Sequence, residues 1–97
     1  MNVLPPVTTA AVVGQLRSLI VTAAPDPAQA AAVRGCPMDV PLDTVMPFSS
    51  VIALGVIVAV EDRFGIVVTR PALQSAFAGG ATLEKLAAMI QRLREEA

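Results

Sequence analysis

Two adjacent serines, Ser49 and Ser50, stand directly before ten residues that carry no charge, Val51 to Val60. The run closes on Glu61, Asp62 and Arg63, followed by Phe64-Gly65. Such a pair of hydroxyls has two uses. One can cap a helix by accepting a backbone N–H of its first turn, and one can be the point where another group is attached. The other reactive side chains narrow the chemistry. Cys36 is the single cysteine, set between Gly35 and Pro37 in a stretch that reads as a loop, and the chain has no histidine. A lone thiol without a base is a poor nucleophile and forms no internal disulfide, which fits a reducing compartment. Zinc sites and Ser-His-Asp triads need ligands or a base that this composition lacks. No acid–base pair or metal cluster can be assembled from these residues, so a non-catalytic protein is expected.

The elements that must position the serines follow from composition and spacing. The chain has 97 residues, enough for one small domain, and is 55% hydrophobic with three aromatics, all Phe. Ala, Val, Leu and Ile must therefore fill the core, which favours closely packed helices over a sheet built around large rings. Seven basic residues meet eight acidic ones, and the basic ones are scattered, so nucleic acid is not an expected partner. The N-terminus has no positive region before its apolar stretch, and Val51–Val60 is too short to span a bilayer. A soluble, cytoplasmic monomer without a membrane partner is expected.

Residues 1–6 read as a disordered lead closed by Pro5 and Pro6, with a single domain over 7–97. Thr8 or Thr9 can cap a first helix over about 7–23, in which Val12, Val13, Leu16, Leu19, Ile20 and Ala23 recur on one face. Five prolines punctuate the long connection from Ala24 to Ser49. Within it, Asp26 as cap, Pro27 at the first helical position and Gly35 as stop predict a short extra helix. Val40, Leu42 and Val45 can anchor the rest of the loop to the core. Val51–Phe64 is rich in strand formers, yet its length, its serine caps and the Phe64-Gly65 ending favour a helix, with Gly55 counting against it. Pro71–Phe77 predicts a short helix starting at Pro71. Thr82 caps a last amphipathic helix with Leu83, Leu86, Ala87, Ile90 and Leu93 as its stripe. The expected fold is all-α.

With the elements in order, the opening stretch resembles the second helix of an acyl carrier protein. In that family a serine within a Leu-Gly-x-Asp-Ser-Leu motif precedes, by fourteen residues, the Phe of a helix end that reads Glu-Glu-x-Phe-Gly-Ile. Phe64 follows Ser50 by fourteen, and Glu61 and Asp62 fall on the acidic pair. Upstream, "PLDTVMPFSS" is similar to the family's "PLxxLGxDS", with Leu42 and Met46 on its two leucines. The likeness covers about 40–93, and the first helix by general plan.

The resemblance implies a small four-helix bundle of acyl-carrier type, with a long loop between the first and second helices. It implies that Ser50 carries a covalent 4′-phosphopantetheine arm whose thiol holds acyl groups as thioesters. The partners it implies are a phosphopantetheinyl transferase and the enzymes that load and use the acyl group. Such a carrier needs an exposed serine at a helix N-terminus, where the dipole and open N–H groups favour the phosphate. Ser49 is the expected cap.

The chain departs from the family pattern at Ser49 for Asp, Pro47 for Gly and Val51 for Leu. Ile52 and Gly55 replace positions often acidic in fatty-acid carriers, and Arg70 opens the often acidic short helix. Electrostatic steering should then be weak, which favours a carrier of polyketide or other specialised biosynthesis. Val56, Ile57, Val60 and Phe64 are expected in the core. Val51, Ile52, Gly55 and Val58 are expected on a partner-facing surface, with Glu61 and Asp62 as solvated charges beside it. The alternative is a helical interaction or docking module that carries no prosthetic group.

Overall fold

The computed structural model describes residues 9–96. The expected lead at 1–6 and a cap at Thr8 lie outside the described residues. Helix α1 spans Thr9–Ala23 and buries Val12, Val13, Leu16, Ile20 and Val21, the three- and four-residue spacing of one helical face. Helix α2, Pro27–Ala30, is a single turn continued by a 3₁₀ turn over Ala31–Arg34. Asp26 caps it by accepting the Ala28 N–H at 3.0 Å, with Pro27 where its missing N–H costs nothing.

Helix α3 spans Ser50–Phe64 despite its strand-forming composition. Both ends are locally determined. Ser49 caps the start, and Gly65 ends it in the left-handed region at φ 64, where glycine carries no side-chain penalty. Between those ends Val56, Ile57 and Val60 are buried, so tertiary packing outweighs strand propensity. Helix α4, Arg70–Phe77, begins one residue earlier than its proline suggests, because Thr69 accepts the Ala72 N–H at 3.3 Å and places Pro71 within the first turn. Helix α5 spans Leu83–Glu96, and Thr82 accepts the Lys85 N–H at 3.0 Å.

The described residues thus contain five α-helices and no strand. The core forms where α1 packs against both α5 and α3, with α4 resting on α5. Leu16, Ile20, Leu83, Leu86 and Ile90 are fully buried within it, and each such side chain contributes about 1.5–3 kcal/mol through burial.

The long connection is pinned rather than free. Leu42 is fully buried, and its N–H donates to Ala81 O at 2.8 Å, while the Glu84 N–H donates to Met38 O at 2.9 Å. At the other end Arg17 Nη1 donates to Val33 O at 2.6 Å and to Cys36 O at 2.7 Å. Arg17→Met would keep the aliphatic stem but leave both carbonyls without that donor. We expect a loss of about 1–3 kcal/mol, read from the urea midpoint. An unchanged midpoint would show that the clamp contributes nothing.

Candidate functional site

The two serines at the start of α3 have different roles. Ser49 has extended backbone, and its Oγ accepts the Ile52 N–H at 3.4 Å, while its carbonyl accepts the Ala53 N–H at 2.9 Å. Ser50, the first helical residue, is exposed, and its hydroxyl has no hydrogen-bond partner among the described residues. The N–H groups of Ser50 and Val51 are likewise without a partner among them. No acidic residue lies in the first turn of α3. The capping task therefore falls to Ser49, and the free oxygen belongs to Ser50, beside open backbone N–H groups at the positive end of a fifteen-residue helix.

Ser50 also lies on the rim of an open cavity of about 630 Å³ between α3 and α4. Phe48, Ala53, Ile57, Leu73 and Phe77 give it an apolar lining, and Asp43 and Gln74 are among its few polar contributors. Phe48 and Phe77, both in its lining, stack with ring centroids 6.1 Å apart and hold the loop before α3 to the end of α4. The Gly79-Gly80 turn that closes α4 is held by Lys85, whose Nζ donates to Ala78 O at 2.7 Å and Gly80 O at 3.1 Å.

The surface beside Ser50 is apolar. Val51 is 78% exposed, Leu54 63% and Val58 57%, and their spacing puts them on one side of α3 with exposed Gly55 among them. Ile52, expected on that surface, is half-buried and packs against the core. Phe64, expected inside the core, is half-buried, with the Arg94 guanidinium 6.0 Å from its ring centroid. Asp62 is exposed.

Glu61 differs from the solvated charge expected of it. It is half-buried, and Oε2 accepts the Val68 N–H at 2.8 Å, while its carbonyl accepts the N–H groups of Gly65 and Ile66. One residue thus organises the turn between α3 and α4. Glu61→Ala should speed amide exchange at Val68 at least about tenfold and cost about 1 kcal/mol, the low end for a charged acceptor that is half in water. Unchanged exchange at Val68 would contradict that role.

Among the described residues no group of three His, Cys, Asp or Glu side chains is placed to hold a metal ion. None of their helices is long and apolar enough to cross a membrane. Cys36 is buried, with its Sγ 3.5 Å from Val33 O and 3.7 Å from Arg17 Nη1. No family model matches this chain, and no curated protein and no solved structure matches it. The functional reading therefore rests on the residues themselves.

Proposed function

We propose that the protein is an acyl carrier whose Ser50 bears a 4′-phosphopantetheine arm, and that the helices form a bundle of acyl-carrier type. The observation that carries this is the division of labour at the start of α3. Ser49 takes the cap, which leaves Ser50 with an exposed, unpartnered hydroxyl on the rim of an apolar cavity.

The site suits the group. The Ser50 oxygen is open to a transferase, and the N–H groups of Ser50 and Val51 can donate to a phosphate attached there. The pinned Leu42–Met46 turn and the Phe48–Phe77 stack anchor the loop that leads into α3. The arm would supply a terminal thiol that carries an acyl group as a thioester. A cavity of this size and lining falls in the range that encloses small apolar ligands, and would shelter an acyl chain from water. The exposed Val51, Leu54 and Val58 lie beside Ser50, where enzymes that act on the arm must approach. With little acid nearby, recognition there would be apolar, in keeping with a carrier of polyketide or other specialised biosynthesis.

Incubation of the purified protein with a broad-specificity phosphopantetheinyl transferase and a fluorescent coenzyme A analogue tests this. The fluorophore should become covalently attached to the protein. A protein that stays dark while a known carrier in the same tube is labelled would instead be a docking module without a prosthetic group.

A further inference from the structure

Helix α4 is weakly supported. It has eight residues, and Ala76 is the one of them that is buried. Helices shorter than about 12–15 residues do not persist in water without tertiary support, and α4 has open space on two sides. The cavity of about 630 Å³ separates it from α3. On the side of α5, a pocket of about 100 Å³ lies between Ala72, Ser75 and Ala76 of α4 and Met89 and Leu93 of α5. The helix is instead fastened near its ends. Ahead of it, Glu61 Oε2 accepts the Val68 N–H at 2.8 Å. At its far end the Phe77 ring stacks on Phe48, and Lys85 Nζ donates to Ala78 O at 2.7 Å and to Gly80 O at 3.1 Å. Those two carbonyls flank Gly79, and Gly79 and Gly80 stand at φ 73 and 105. Two successive glycines can leave such angles without a side-chain barrier, as hinge residues must. The next residue is held, since Ala81 O accepts the Leu42 N–H at 2.8 Å.

We propose that α4 is a movable wall of the cavity, which opens as one unit on the Gly79-Gly80 hinge, and that Lys85 is the latch that holds it closed. When the ammonium releases the two carbonyls, Leu73 and Phe77 leave the cavity lining, while Ala53 and Ile57 on α3 stay in place. The latch suits a wall that must move. Its hydrogen bonds carry a charge and fix the turn, yet Lys85 is exposed, so water replaces them at modest cost. The device depends on the cavity and the turn alone, and acts whether or not Ser50 bears an arm.

Native-state amide exchange of the unloaded protein, followed by NMR, tests this independently of loading. The Leu73 N–H is bonded to Thr69 O and the Ala78 N–H to Gln74 O. Both should exchange through one shared opening, at least about a hundredfold faster than Leu16 in α1 and Ile90 in α5 after correction for intrinsic rates, and with little dependence on low urea. The Leu42 N–H, beyond the hinge, should not share that opening. Lys85→Met should speed Leu73 and Ala78 at least about fivefold. Arg92→Met, which removes a cation that lines the α4–α5 pocket but bonds neither carbonyl, should leave them as they were. Arg17→Met should also leave them unchanged, because its clamp on Val33 and Cys36 survives in the open state, although the same change speeds Leu16 and Ile90. Leu73 and Ala78 exchanging as slowly as Leu16 and Ile90, a Leu42 amide that opens with them, or rates at Leu73 and Ala78 that ignore Lys85→Met or respond to Arg17→Met or Arg92→Met would overturn the proposal.

Discussion

Ser50→Ala should abolish covalent loading by a phosphopantetheinyl transferase while the fold persists. Ser50 is exposed and its hydroxyl holds no other part of the protein among the described residues, so its loss removes the attachment oxygen and little else. Ser49→Ala should behave in the opposite way. It should still be loaded, because its oxygen is engaged with the Ile52 N–H, but it should lose about 0.5–2 kcal/mol with the cap. Mass spectrometry of the two loaded variants, alongside their urea midpoints, separates the roles. Loading that survives in Ser50→Ala and vanishes in Ser49→Ala would reverse the assignment.

A comparably large effect is expected on partner binding. Val51→Asp and Val58→Asp should each weaken binding to the cognate acyl-loading or synthase enzyme by about tenfold or more, as removal of a desolvated apolar anchor does. Both side chains are more than half exposed, so the fold should tolerate the change. Asp62→Ala, which removes an exposed charge from the same helix, should change the affinity by less than about threefold. Ile52 is a poorer probe than its sequence position suggests, since it packs against the core and Ile52→Asp would disturb folding as well. Affinities measured at low and high salt decide the matter. Binding that collapses with salt and ignores Val51 and Val58 would mean an electrostatic interface.

What could be read from the sequence was local. The caps at Asp26, Ser49 and Thr82 depend on residues within three positions of each other, and the glycine stop at Gly65 on the Glu61 carbonyl four positions back. The burial of Val56, Ile57 and Val60 follows from helical spacing once the segment is taken as a helix. Thr69 was also within reach, since a threonine two residues before a proline is a sound start signal, but Pro71 drew the boundary to itself.

The rest depends on tertiary placement. Glu61 accepts an N–H seven residues away across a turn, which no helical or strand period encodes. Ile52 is half-buried because it packs against the core, and Phe64 has the Arg94 guanidinium of α5 over its ring; neither follows from its neighbours in sequence. The cavity exists because α3 and α4 both lean on other helices more than on each other, and Asp43 enters it through a turn pinned to Ala81. Nothing in the run "PLDTV" marks that carboxylate as part of a cavity rim.

The most direct measurement is the intact mass of the wild-type protein after co-expression with a broad-specificity phosphopantetheinyl transferase, with fragmentation to place any added group. The expected result is a gain of one 4′-phosphopantetheine per chain, carried by the peptide that contains Ser50. An unmodified mass, from cells in which a known carrier is fully modified, would contradict the carrier function.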